Sequence, residues 1–249
     1  VSTTAKLQHF IKPDWPAPDN VVAWASTRQG GVSLPPYSSL NPAAHVGDAA
    51  ASVQRNRQII SQQCRLPAEP AWLKQTHSTD IVELPSAQLD ADGATTTAAN
   101  CVCVVQTADC LPLLLCDQAG QQVAAIHAGW RGLAAGIVEQ AVSRMQAPPQ
   151  QLLVWLGPAI SGQHFEVGAE VYAQFVARHS QNRYAFVASE RPQYYMADLY
   201  QLARNHLQAV GVTAIYGGQY CSYADPQRFY SYRRDGVTGR MASLIYRKA

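Results

Sequence analysis

Between Ala71 and His127 the chain alternates short apolar or β-branched segments with turn formers, and this pattern constrains the fold most. Ala71–Thr76, Ile81–Leu84, Cys101–Gln106, Leu111–Asp117 and Gln122–His127 are strand-sized, and turns such as Asp90–Gly93 and Asp117–Gly120 separate them. Further strands are expected at Val21–Thr27, Leu152–Leu156, Ala214–Tyr216, Phe229–Arg233 and Ala242–Tyr246. Helical spacing of apolar residues marks Ser52–Gln63, with Val53, Ile59 and Ile60 inward, then Leu133–Met145 ahead of Pro148-Pro149, Val167–Arg178, and Asp198–Val210 ending at Gly211. The order is neither strict βαβ alternation nor all-β. It predicts an α+β fold, with mixed β-sheets in a sandwich-like core flanked by helices. No repeat or linker interrupts 1–249, so a single catalytic domain is expected.

Composition removes several functions. A formal net charge of +2 without a basic cluster gives no footprint for nucleic acid. No apolar run approaches the ~20 residues that span a bilayer, so no membrane is expected. Around Lys6 the chain lacks a secretory pattern, which points to the cytoplasm. Six cysteines with no Cys-x-x-Cys read as free thiols of a reducing compartment, several of them buried.

Reactive side chains collect at strand ends. His77 follows Lys74-Gln75-Thr76, Cys110 follows Thr107-Ala108-Asp109, and His127 leads into Ala128-Gly129-Trp130-Arg131-Gly132. Two imidazoles and a thiolate are a competent set for zinc, and three protein ligands leave a fourth position for water or substrate. Such an ion lowers the pKa of its water or polarises a substrate atom. The same atoms also suit a metal-free reading, with Cys110 as nucleophile and a histidine as base. Copper is a third possibility: seven histidines without a His-x-His pair are too few for a four-copper oxidase, but a His₂Cys set can hold one copper. Asp109 stands where a carboxylate would orient a ligand, shuttle a proton or cap a turn. Arg28, Arg57, Lys74 and Arg131 are candidate anion-binding residues, each equally suited to a surface salt bridge. Tyr194-Tyr195 and Phe229–Tyr232 offer rings for a base or for the core.

Lys74–Ser78, Thr107–Pro112, His127–Gly132, Gly157-Pro158-Ala159-Ile160 and Tyr230–Gly236, flanked by Arg28–Ser33 and Gly239-Arg240-Met241, together resemble the bacterial YfiH-type family, labelled polyphenol oxidase or laccase-domain proteins. The resemblance implies a one-domain fold similar to cysteine-hydrolase-like proteins and a metal site at His77, Cys110 and His127. It also implies purine nucleoside chemistry: phosphorolysis of adenosine, inosine, guanosine and methylthioadenosine, and deamination of adenosine. Purine nucleosides and phosphate are then the partners and zinc the cofactor, with copper possible. An amidase editing a peptidoglycan precursor through Cys110 and a copper-dependent polyphenol oxidoreductase are the alternatives.

Overall fold

The computed structural model describes residues 8–249; Lys6, on which the reading of the N-terminus leans, lies outside them. In chain order the first strands are β1 (Phe10–Ile11), β2 (Val21–Ser26), β3 (Ala71–Trp72), β4 (Ile81–Glu83) and β5 (Gly93–Thr96). Then come β6 (Cys103–Thr107), β7 (Leu111–Asp117), β8 (Val123–Ala128) and β9 (Leu152–Leu156). The rest are β10 (Glu166–Gly168), β11 (Phe186–Ala188), β12 (Tyr194–Ala197), β13 (Ala214–Gly217) and β14 (Met241–Arg247). The helices are α1 (Ala50–Cys64), α2 (Trp130–Ala135), α3 (Ile137–Ser143), α4 (Ala169–Arg178), α5 (Leu199–Ala209) and α6 (Tyr232–Asp235).

Two mixed sheets, ordered β1-β2-β14-β6-β3 and β13-β9-β7-β8-β5-β4, carry the architecture, and a small β10-β12-β11 sheet stands beside them. Ala25, Val105 and Ile245 of the first sheet pack on Leu114, Ala125 and Trp155 of the second, as expected of strands apolar on both faces. The other face of the second sheet, with Leu113, Leu115 and Ile126, is covered by Leu133, Val138, Phe175 and Leu202 of α2–α5. The other face of the first sheet, with Val104 and Leu244, is covered by Ile60 of α1 and by Leu40. The result is an α/β/β/α stack, the α+β sandwich the strand pattern implies.

Strand parity places the chemistry. Leu114 and Cys116 of β7 and Val123 and Ala125 of β8 face the inter-sheet layer, so Cys110 and His127, in step with them, point the same way. Pro112 pairs with His127 across the two strands, setting Cys110 one pleat further toward the open end.

Some elements differ from expectation. The helix expected over Leu133–Met145 is two helices, because Gly136 adopts φ 103° between them, where a Cβ would run into the Arg178 guanidinium. Val167 lies in β10 rather than in α4, and the strand expected at Phe229–Arg233 is absent. There Phe229 and Tyr230 are buried and Ser231 caps the short α6 by accepting from the Arg234 N–H. An aromatic run supplies apolarity without a period, so burial alone imitates a strand. All six cysteines are free, and Cys64, Cys103 and Cys116 are buried. Among the described residues no helix is long and apolar enough to cross a membrane.

Candidate metal centre

His77, Cys110 and His127 converge although 33 and 17 residues separate them in sequence. Their ligand atoms all lie within 4.8 Å of one another. Cys110 Sγ is 3.7 Å from His77 Nε2, and the two imidazoles meet edge-on with centroids 4.8 Å apart. Close approach requires Gly129, since a Cβ there would come within 2.8 Å of the His77 ring and 3.1 Å of Cys110 Sγ.

Behind the trio stands Asp92, fully buried just before β5. Its Oδ1 is 2.7 Å from His127 Nδ1 and accepts the His77 N–H at 3.0 Å; its Oδ2 accepts the Thr76 N–H at 3.0 Å and the Ser78 N–H at 2.6 Å. Three successive amides thus wrap one carboxylate, which requires His77 to take φ 63°, a left-handed value uncommon for histidine. With Nδ1 held by Asp92, the tautomer assigned to His127 leaves Nε2 free to face Cys110. Burial works against ionising Asp92, but the His127 bond and the amides outweigh it and hold the carboxyl well below its usual range. Burial likewise pushes the Cys110 thiol up, while the charge on His127 and bonds to both histidines bring it down to about 6. His127, against burial, is raised to about 9 by the Cys110 charge and by Asp92. The thiol is therefore poised to ionise, the form in which sulfur ligates a metal or attacks a carbonyl.

The trio opens on a cleft of about 580 Å³, also lined by His45, Gln75, Gln106, Thr107, Asp109, Trp130, Arg131, Phe165, Tyr232, Arg233 and Arg240. Gln106 Oε1 and Thr107 Oγ1, on two of the lining residues, are buried without a protein partner among the described residues. Two imidazole nitrogens and a thiolate at these separations, facing one opening, fit a single transition-metal ion with a position left over.

Asp109 reaches the cleft, but both of its carboxylate oxygens are engaged: Oδ1 accepts from Ser222 Oγ at 2.6 Å and Oδ2 from the Arg233 N–H at 2.7 Å. Its carbonyl accepts from the Ile160 N–H, so the 157–160 loop braces the same turn. Asp109 thereby fixes Cys110 and draws the 231–234 segment against it, each of its carboxylate oxygens accepting one hydrogen bond. Of the four basic candidates the structure brings only Arg131 to the cleft. Arg28 donates to the carbonyls of Ser38 and Pro226 and lies over the Tyr230 ring. Arg57 donates to the Pro42 carbonyl and lies over Trp72. Lys74 is exposed and pairs with Asp90 at 2.9 Å. Tyr232 lines the cleft, whereas Tyr195 stacks on Tyr172 in the helical layer. Asp92 behind the trio, and His45, Gln106 and Phe165 in the cleft lining, join the site without being expected from the sequence. Asp92 was inside the Asp90–Gly93 turn, and an Asp-Gly pair opening a buried strand was the signal for it.

A family model described as multi-copper polyphenol oxidoreductase laccase matches residues 22–248. A purine nucleoside phosphorylase of Pseudomonas aeruginosa is 51% identical over 241 residues, 96% of this chain and 99% of that one. The purine nucleoside phosphorylase YfiH of Escherichia coli is 48% identical over 243 residues, again 96% and 99%. A crystal structure of a Neisseria meningitidis protein superposes with a TM-score of 0.93 at 46% identity, covering 97% of this chain and 100% of that one. Matched in sequence and in fold over nearly its whole length, the chain belongs to the YfiH-type, laccase-domain family.

Proposed function

We propose that the protein is a zinc-dependent purine nucleoside phosphorylase, acting on adenosine, inosine, guanosine and methylthioadenosine, with adenosine deaminase activity. The observation that carries this reading is a His/Cys/His donor set turned into a cleft of nucleoside size, in a chain whose relatives are named purine nucleoside phosphorylases. The whole of 1–249 acts as one catalytic unit, since cleft residues run from His45 to Arg240. A cytoplasmic setting suits six free thiols.

Held by His77 Nε2, Cys110 Sγ and His127 Nε2, a zinc ion would supply Lewis acidity to a substrate atom or to water. Asp92 fixes the tautomer of His127 and the backbone of His77, and Asp109 fixes the turn that presents Cys110. Trp130, Phe165 and Tyr232 give the cleft apolar walls for a purine ring. In phosphorolysis a phosphate oxygen bonds to the sugar C1′ as the C1′–N bond breaks. The electron pair leaves on the base, which takes the proton that hydrogen phosphate brought, and ribose 1-phosphate results. Deamination needs a proton carrier in the cleft; Asp109 and the His45 imidazole are the side chains placed for it.

One observation favours a second reading. Cys110, His127 and Asp92 stand in the order nucleophile, base and orienting carboxylate, the arrangement of a cysteine amidase, such as one editing a peptidoglycan precursor. Copper in place of zinc at the same donors would underlie a polyphenol oxidoreductase. Purified protein assayed on inosine and adenosine, with and without phosphate, after chelation and reloading with zinc or copper, separates them. Phosphate-dependent base release, lost on chelation and restored by zinc, is the expected result. Intact nucleosides together with chelator-insensitive cleavage of a serine-containing muropeptide would overturn it.

A further inference from the structure

We infer that Arg240 anchors an oxyanion subsite in the cleft beside Cys110 and, on the functional reading above, that its ligand is inorganic phosphate.

The cleft carries unbalanced positive charge. Arg131, Arg233 and Arg240 line it, and none of them is ion-paired with a carboxylate among the described residues. The one carboxylate lining the cleft among those residues, Asp109, already accepts from Ser222 and from the Arg233 backbone. The same field reaches His45, whose proton affinity is lowered by burial and then by Arg240 and Arg57.

Arg240 differs from the other two in being fixed. It immediately precedes β14, whose Met241 pairs with Thr107, so the fold sets it opposite the Ala108–Cys110 turn. Its Nη1 donates to the carbonyls of Thr238 and Gly239 at 3.0 and 2.9 Å, which orients the guanidinium plane. Nε and Nη2 have no protein acceptor among the described residues, and neither is fully buried, on a residue that lines the cleft. Two adjacent N–H donors on a pre-oriented plane match two oxygens of a phosphate. Arg131 and Arg233 are exposed at the rim, over the rings of Trp130 and Phe165, and Arg233 Nη1 is tied to the Glu166 carbonyl. They attract an anion; Arg240 seats it.

The test titrates zinc-loaded protein with inorganic phosphate by calorimetry and measures the KM for phosphate at saturating inosine. Arg240→Met should weaken phosphate binding about tenfold or more, Arg240→Lys should recover part of it, and Arg233→Met should cost no more than about threefold. Zinc content and melting temperature serve as folding controls; should Arg240→Met fail to fold, Arg240→Lys decides by itself, because it keeps the charge and loses the fork. Phosphate affinity within twofold of wild type in the folded variant overturns the subsite, as does absence of phosphate binding by the wild type. Arg240-dependent phosphate binding without nucleoside turnover would leave the subsite standing and remove the phosphorylase reading. Phosphorolysis with a phosphate affinity indifferent to Arg240 does the reverse.

Discussion

Two histidine clusters in this molecule have nearly the same composition and opposite character. His77, Cys110 and His127 stand in front of a carboxylate, Asp92, which engages backbone amides and one ring nitrogen from behind. Glu139, His179 and His206 bring their donor atoms equally close together, between α3, α4 and α5. There the partners engage one another. His206 Nδ1 is 3.0 Å from Glu139 Oε1, and Arg178 Nη2 lies 3.2 Å from the same oxygen. Asn182 donates to the Phe175 carbonyl, an orientation that makes it the donor to His206 Nε2 at 3.1 Å as well. Both nitrogens of His206 are thus committed, and a guanidinium already neutralises the carboxylate. His179 Nε2 approaches the same Glu139 oxygen at 3.6 Å, and Glu139 Oε2 is buried without a partner among the described residues. Proximity of donors does not make a metal centre; lone pairs left facing an opening do.

The sharpest way to break this comparison is to truncate one member of each cluster. Cys110→Ala should abolish stoichiometric zinc and lower phosphorolysis about a thousandfold or more, while shifting the melting temperature of the metal-free protein little, since the thiol faces the cleft. His206→Ala should do the opposite. It removes a buried ring and strands Asn182 and Glu139, a loss of about 2–4 kcal/mol in urea unfolding, with one zinc per chain and kcat within about threefold. A second bound zinc in the wild type, removed by His206→Ala, would show that the contrast drawn between the clusters is wrong.

A smaller effect sharpens the contrast. Asp92→Asn keeps the shape behind the trio and removes the charge that orders it, so zinc affinity should fall about 10–100-fold by competition with a chromogenic chelator. Glu139→Gln, the matching change in the other cluster, should leave zinc affinity unchanged. Equal zinc affinities in wild type and Asp92→Asn would reduce Asp92 to a backbone prop.

What the sequence made legible follows from what local patterning encodes. β7 and β9 are found at the expected residues because each is an apolar run bounded by turn formers, and α5 is found because Asp198 caps it. Period alone could not show that Gly136 would take a left-handed φ and divide one helix into two. Nor could it separate the buried Phe229-Tyr230 pair from a strand. The trio was legible as residue types at strand ends, and its convergence came with the resemblance to a family. Asp92 and Arg240 were not, because their roles depend on pairing between distant strands: β5 with β8 for the first, β14 with β6 for the second. Arg28 and Arg57 looked equally suited to anions, and only tertiary contacts show their guanidinium groups engaged by carbonyls and rings.

The last expected effect is one of acid stability, seen only as the pH falls, and it tests the closed cluster on its own terms. Burial pushes the Glu139 carboxyl up, but the His206 bond, its own backbone amide and the Arg178 charge are among the causes that outweigh this and bring it from 4.5 down to about 2. A carboxyl depressed in the folded state stabilises the fold above its unfolded pKa, and that stabilisation fades as pH falls through the folded value. The window is therefore between about pH 4.5 and pH 2, and the contribution at neutral pH is on the order of 2–3 kcal/mol. Asp92 titrates in the same acid range, so wild type alone cannot separate the two groups. The difference between wild type and Glu139→Gln can, because Asp92 is common to both. Urea unfolding at stepped pH should show wild type losing stability faster than Glu139→Gln as pH drops below 4.5, with the two converging near pH 2. Parallel curves across that range would mean that Glu139 is no better stabilised as an anion in the fold than in the unfolded chain. The closed cluster would then be held together by packing and neutral hydrogen bonds rather than by its charge.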